Sequence, residues 1–73
     1  MLEEELIYEN PVTENNLKIK GIPDQLITLI DMNGKEFKIE LKNNLLPVST
    51  LQNGMYFFHT EAGIKRYKIL ILK

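Results

Sequence analysis

Glycine, proline and paired asparagine residues interrupt this 73-residue chain at short intervals. The interruptions include Asn10-Pro11, Asn33-Gly34, Asn43-Asn44, Asn53-Gly54 and Gly63. Each of them favours a turn, because proline fixes φ while glycine and asparagine accept positive φ. No stretch between them sustains apolar residues at the spacing of an amphipathic helix. The chain is therefore expected to be built from short strands.

The segments between the turns show the alternation of apolar and polar residues that strands with one buried face require. Leu17 and Ile19 alternate with lysines, and the segment 36–42 repeats the pattern. The segment 25–31 is apolar on both faces, and the segment 45–51 is broken by Pro47, which is typical of an edge strand or a crossing segment. Six or seven short strands predict an all-β sandwich or a small barrel. Of the two we expect a small immunoglobulin-like antiparallel β-sandwich of about seven short strands, although the Cys, Trp and Cys pattern of immunoglobulin domains is absent. The expected strands are 6–8, 16–21, 25–31, 36–42, 45–51, 55–60 and 64–73.

The length of 73 residues limits the chain to one domain, and the composition disfavours several functions. Hydrophobic residues make up 44% of the chain, which is typical of a folded globule. Because cysteine is absent, neither disulfides nor thiolate metal sites can form. A formal net charge of −1 offers no electrostatic footprint for nucleic acid or anionic lipid. No secretory signal core is expected, and the apolar segment 67–73 is too short to cross a bilayer.

Patterns for catalysis and metal binding are weak. The chain has one histidine, His59, and one serine, Ser49. Asp24 or Asp31 would complete a Ser-His-Asp set on paper, but no G-x-S-x-G elbow surrounds the serine and nothing places the three residues together. The segment from Asp31 begins like a calcium loop, yet Lys42 stands where the glutamate at position twelve is needed. We expect no enzymatic activity, no cofactor and no metal.

Four short motifs follow one another in order. They are Tyr8-x-Asn10-Pro11, Asp31-x-x-Gly34-Lys35, Leu51-x-x-Gly54-x-Tyr56, and a last strand that carries Lys65, Arg66, Lys68 and Lys73. This series resembles the type A C-terminal sorting domain of the type IX secretion system. The signature of that family reads Tyr-Pro-Asn-Pro, Asp-x-x-Gly-Lys, Leu-x-x-Gly-x-Tyr and a Lys-rich last strand. The resemblance covers 6–73, and one departure is Glu9, where the family commonly has proline.

The resemblance implies a folded secretion signal of Bacteroidetes-type bacteria. Such a domain follows a cargo in the same chain, is recognised by the outer-membrane export machinery and is removed by a sortase-like surface peptidase. The cargo, often transferred to a surface lipopolysaccharide, would pass the periplasm and outer membrane and be secreted or stay at the cell surface. Residues 8–73 would form the sorting domain, and residues 1–7 a linker or first strand. The domain itself would not insert into the membrane or bind nucleic acid.

The motif residues also have a physical interpretation of their own. Asn10-Pro11 would direct the incoming chain sharply into the sandwich, with Tyr8 packing as an anchor. Gly34 and Gly54 would supply positive-φ positions before strands, and Tyr56 suits a half-buried site. These roles specify a fold without requiring a function. Recognition is expected at the last strand, 65–73, and at the Gly34-Lys35 turn, because an apolar, locally basic strand could add to or dock against a partner.

Two other functions stay open from the sequence. A passive adhesion or spacer module would need the same fold and differ only in its position within a larger surface protein. An oligonucleotide-binding barrel would use Lys18, Lys20, Tyr56 and Phe58, but a basic groove is not expected at this net charge. Weak association of two copies is a further hypothesis, with the candidate contacts Tyr56, Phe58, Leu70 and Leu72.

Overall fold

The computed structural model describes residues 7–63 and 65–73, which form seven short strands in two sheets. Leu6 and Ile64, the first residues of two predicted strands, lie outside the described residues, as does most of the predicted linker 1–7. The strands are β1 (Ile7–Tyr8), β2 (Asn16–Lys20), β3 (Gln25–Asp31), β4 (Glu36–Leu41), β5 (Leu45–Pro47), β6 (Gly54–His59) and β7 (Tyr67–Ile71). The predicted all-β class is confirmed, with no helix in the described part of the chain.

The two sheets stack as a sandwich. The smaller sheet has the order β1-β2-β5 and the larger the order β4-β3-β6-β7, with antiparallel pairing of neighbouring strands. β5 therefore lies at an edge, as the proline in this strand predicts. The strands β4 and β5 belong to different sheets and are joined by the Asn43-Asn44 turn, where both residues have positive φ. Lys42 and Leu45 exchange backbone hydrogen bonds of 3.1 and 2.9 Å across this turn, which carries the chain from one sheet to the other.

The core lies between the sheets and uses the alternate positions that the sequence predicts. Leu17 and Ile19 of β2 are fully buried, and so are Ile27 and Leu29 of β3. Each such side chain contributes about 2 kcal/mol through its removal from water. The other buried apolar residues are Val12, Ile22, Leu41, Leu46, Val48, Leu51, Tyr56, Phe58, Ile69 and Ile71.

Both faces of strand β6 are rich in apolar residues, and the structure shows which of them is buried. Tyr56 and Phe58 point into the core, with 5% and 0% of their surfaces exposed. Met55 and Phe57 are half-buried on the outer face. The expectation that Tyr56 and Phe58 form surface contacts, with a second copy or with nucleic acid, is therefore wrong. The physical reason is the two-residue period of a strand, which places both rings on the same side as the buried Ile69 of β7.

The chain also crosses between the sheets near its beginning. Tyr8 ends β1 in the smaller sheet, and Val12 pairs with Ile71 of β7 in the larger sheet. This single parallel bridge lies on the free side of β7, because β6 occupies the other side. The Asn10–Pro11 peptide bond within the crossing is cis. Val12 is fully buried, so the crossing is part of the packed domain.

Candidate functional site

Two of the sequence motifs meet at one end of the larger sheet. Asp31 at the end of β3 is the strand partner of Tyr56 in β6. Gly54, the first residue of β6, is in turn the partner of Ile71 at the end of β7. Antiparallel pairing thus brings the Asp31 turn, the loop before β6 and the last residues of the chain to the same end of the sandwich.

The Asp31 turn is held by one carboxylate. Asp31 Oδ1 accepts hydrogen bonds from the backbone nitrogens of Asn33 at 2.8 Å and Lys35 at 2.9 Å. The Asp31 and Lys35 backbones are also joined, and Gly34 takes a φ of +85°, which favours glycine. The Lys35 Nζ lies 5.3 Å from the centroid of the Phe37 ring. This cation–π contact keeps the exposed lysine over the edge of the sheet.

The Leu51-x-x-Gly54-x-Tyr56 motif forms a tight loop. Leu51 is buried and donates its amide hydrogen to the Val48 carbonyl at 3.0 Å. The Tyr56 hydroxyl donates to the Gln52 carbonyl at 2.7 Å, and Gly54 has a φ of +148°. Burial raises the pKa of the Tyr56 phenol above 10.0, and the Asp31 charge raises it further, while the Gln52 hydrogen bond opposes both. The neutral phenol is therefore the form that this loop favours.

The last residue of the chain is fixed by the same loop, in an arrangement that we name the C-terminal clasp. Asn53 Oδ1 accepts from the Lys73 amide at 2.9 Å, and Asn53 Nδ2 donates to the Lys73 carbonyl at 3.2 Å. The Lys73 Nζ donates to the carbonyls of Val48 at 2.9 Å and Ser49 at 3.1 Å. The bonds of the ammonium group to carbonyl oxygens are charge-assisted and therefore stronger than neutral ones. Together with the two bonds from Asn53, they hold both the backbone and the side chain of Lys73.

The first motif lies along the outer edge of β7, and we name the segment Tyr8–Val12 the strap. The Tyr8 hydroxyl donates to the Lys68 carbonyl at 3.2 Å, and Asn10 Oδ1 accepts from the Leu70 amide at 3.0 Å. Val12 donates to the Leu70 carbonyl at 2.8 Å and accepts from the Leu72 amide at 2.8 Å. The outward-facing backbone groups at the end of β7 are therefore already bonded within the domain.

An aromatic cluster anchors the start of the strap. The Tyr8 ring meets Phe58 and Tyr67 edge to face, with centroid distances of 5.3 and 5.8 Å. Phe58 and Tyr67 stack on each other at 5.1 Å. Such pairs add about 0.5–1.5 kcal/mol each beyond the burial of their surfaces. The Lys65 Nζ lies 5.5 Å from the Tyr67 ring centroid, so one exposed lysine covers the cluster from outside.

The structure thus divides the predicted site residues into groups. One group meets at the end of the sheet that holds the clasp, and comprises Asp31, Gly34, Lys35, Leu51, Gly54, Tyr56 and Lys73. A second group, Tyr8, Asn10 and Pro11, belongs to the strap, which contacts β7 at Lys68 and Leu70. Lys65 and Arg66 are exposed and precede β7 at its opposite end.

The sequence interpretation missed the residue that completes the clasp. Asn53 precedes a glycine, and such a pair signals a turn without indicating what the side chain of the asparagine binds. Phe58 and Tyr67 also went unnoticed as partners of Tyr8. They are strand partners of each other, and this register is not visible in the sequence.

Candidate chemistry is sparse in the part of the chain that the structure describes. Within 7–63 and 65–73, no group of three or more histidine, cysteine, aspartate or glutamate residues is placed to hold a metal ion. His59 Nδ1 lies 3.1 Å from the carbonyl of the adjacent Thr60. Among these same residues, no helix has the length and apolar character needed to span a membrane.

A comparison with known families decides the identity of the domain. The model of the family described as "Secretion system C-terminal sorting domain" matches residues 6–73. The chain belongs to this family. Sorting domains of this family are non-catalytic signals that interact with the type IX secretion machinery and direct a cargo through it, to the cell surface or the exterior. No curated protein and no solved structure matches the chain significantly.

Proposed function

We propose that the export machinery recognises this sorting domain on the side built around β7. The surface comprises the segment 65–73 and the Gly34-Lys35 turn. The observation that carries the proposal is the C-terminal clasp, because the four hydrogen bonds between Lys73 and the loop before β6 fix the end of β7. A signal held in one conformation is recognised at a lower entropic cost than a flexible tail.

The charge distribution supports the same surface. Lys65, Arg66 and Lys68 are exposed, and no acidic residue follows Glu61 in the sequence. Lys35 is exposed on the turn at the other end of the sheet, near the clasp. A positive surface on a domain of net charge −1 favours a partner with complementary acidic groups. The proposed partner is therefore an acidic surface of an outer-membrane component of the type IX system.

The remaining steps of secretion concern the chain upstream of the strap. We propose residues 8–73 as the sorting domain and residues 1–7 as a linker or first strand, with the cargo before them in the same chain. A sortase-like peptidase then separates the cargo from the domain. The packed strap supports this division, because Val12 is fully buried and its backbone is bonded to β7.

Weak association of two copies is proposed through the outer face of the larger sheet. Leu72 is 50% exposed just after β7, and the half-buried residues Leu70 of β7 and Met55 of β6 form a cross-strand pair on the same face. Contiguous apolar surface of this kind favours self-association at high concentration. Sedimentation of the domain with Leu72→Lys as the comparison tests this proposal, and identical monomeric profiles over the whole concentration range would refute it.

The export function is tested with a reporter fused before residues 1–73 in a type IX-competent host. We expect the fusion to reach the cell surface and a fusion that lacks 67–73 to remain in the periplasm. A reporter with the same signal peptide but no sorting domain gives the background. Surface display of the truncated fusion at the level of the complete one would refute the assignment of the signal to β7.

A further inference from the structure

The strap lies along β7 where a neighbouring strand would lie, but only some of its hydrogen bonds to β7 come from its own backbone. On the outer edge of β7, the carbonyl of Lys68 and the amide of Leu70 are bonded by side chains, those of Tyr8 and Asn10. Only Val12 supplies backbone groups, one donor and one acceptor. On the opposite edge, β6 pairs with β7 at five consecutive positions, from Gly54↔Ile71 to Phe58↔Tyr67. A regular strand could therefore replace the strap group for group and complete the ladder.

The strap is anchored at its two ends and exposed between them. Asn10 and Pro11 are exposed, and proline has no amide hydrogen to donate to the edge. Val12 is fully buried, so the strap is anchored at this residue and at the Tyr8 ring, with a polar crossing between the two anchors. Edge strands are the usual sites at which another chain adds a strand, and many proteins cover them with a loop or helix.

We propose that the strap is a displaceable cover for the β7 edge, and that an extended segment of the export machinery replaces it. This inference rests on the proposed function, because it names how the β7 side is engaged. The replacing segment is a β-strand flanked by acidic side chains, since Lys65, Arg66 and Lys68 are exposed beside this edge. The backbone ladder supplies affinity and the charges supply orientation.

A covalent lock tests the proposal. Thr13 and Leu72, both exposed, follow the paired residues Val12 and Ile71 by one position. The double variant Thr13→Cys with Leu72→Cys places two thiols in a chain that has no other cysteine, and the oxidising periplasm favours a disulfide between them. The matched control is Leu26→Cys with Glu40→Cys, a cross-strand pair on β3 and β4 in which both residues are exposed. Mass spectrometry confirms each disulfide.

We expect the 13–72 lock to reduce surface export of the reporter fusion by about tenfold or more, because a tether removes the open state. The control lock and the single variant Thr13→Cys should leave export within about twofold of the unmodified fusion, as distant surface changes do. The single variant Leu72→Cys measures the effect of that substitution without a tether, and the 13–72 lock should lose clearly more export than it does. Loosening the strap by Asn10→Ala should also preserve export, even where it lowers the thermal midpoint of the domain. If the strap had a purely structural role, the opposite result would follow. The Asn10→Ala fusion would lose export, and the 13–72 lock would be exported at the level of the unmodified fusion.

The outcomes separate this inference from the proposed function. If the unmodified fusion fails to reach the surface, the proposed function itself is refuted. If the unmodified fusion and the 13–72 lock are exported equally, the export function stands and displacement of the strap is refuted. A thermal midpoint for the locked domain at or above that of the unmodified domain shows that loss of export does not come from misfolding.

Discussion

The side chain of Asn53 brackets the backbone of Lys73, accepting from its amide at 2.9 Å and donating to its carbonyl at 3.2 Å. The asparagine amide thereby acts as a strand would, at the point where β7 has ended. The Lys73 Nζ completes the arrangement by bonding the Val48 and Ser49 carbonyls. Four hydrogen bonds therefore hold Lys73 against the loop before β6.

Substitution of Asn53 should show how much the clasp contributes to the free energy of unfolding. Asn53→Ala removes two hydrogen bonds and should lower the free energy of unfolding by about 1–2 kcal/mol. Gln52→Ala is the matched control, because Gln52 is exposed and contributes its backbone carbonyl to the Tyr56 hydroxyl. Urea unfolding measures both values. Equal stability of the two variants would show that the clasp has no stabilising role.

The raised pKa of Tyr56 predicts a loss of stability at alkaline pH. Above the ordinary pKa of 10.0, the unfolded phenol releases its proton while the buried phenol keeps it. The unfolded state then binds fewer protons, so the stability that Tyr56 contributes is complete below pH 10.0 and is lost as the pH rises through the folded pKa. Urea unfolding between about pH 9 and pH 11 should show a steeper decline for the native chain than for Tyr56→Phe. Parallel declines would contradict the raised pKa.

The Asp31 turn offers a comparison between two substitutions. Asp31→Ala removes the acceptor for the amides of Asn33 and Lys35, and should destabilise the domain by about 1–2 kcal/mol. Asp31→Asn keeps an oxygen at the same place and should cost about half as much. Thermal unfolding monitored by circular dichroism ranks the variants. A larger loss for asparagine than for alanine would exclude the hydrogen bonds as the main contribution of this residue.

The strap should depend more on the Tyr8 ring than on its hydroxyl. Tyr8→Ala removes two edge-to-face contacts and leaves a gap beside Phe58, which should cost about 2–3 kcal/mol. Tyr8→Phe loses the hydrogen bond to Lys68 alone and should cost about 0.5–1 kcal/mol. Hydrogen exchange at the Leu70 and Leu72 amides should be faster in Tyr8→Ala than in Tyr8→Phe. Equal exchange rates in both variants would contradict the anchoring role of the ring.

The strands themselves were readily predicted from the sequence. Leu17 and Ile19, separated by one lysine, indicate a strand with one buried face, and both are fully buried in β2. Gly34 and Gly54 follow asparagines and take positive φ values, as turn residues between strands should. These features are local, because they depend on the period of a strand and on the backbone freedom of a few residue types.

The contacts of the proposed recognition surface and its strap are not local, and the sequence does not reveal them. Asn10 and Leu70 lie sixty positions apart, as do Tyr8 and Lys68, so nothing in their neighbourhoods indicates that they meet. The choice of Tyr56 and Phe58 for the core likewise depends on the register with β7, since both faces of the segment 55–58 carry only apolar or aromatic residues. Such choices follow from strand order, which sequence periodicity leaves open.

The most direct test of the central claim, that the export machinery recognises the β7 side, is surface export of two charge-reversed reporter fusions. One carries Lys65→Glu with Lys68→Glu on the β7 side, and the other carries Lys18→Glu with Lys20→Glu on β2 of the other sheet. All four lysines are exposed, and both variants change the net charge equally. We expect the β7 variant to lose export by about tenfold through like-charge repulsion, with the β2 variant unaffected. Equal export of the two variants, both folded, would contradict the claim.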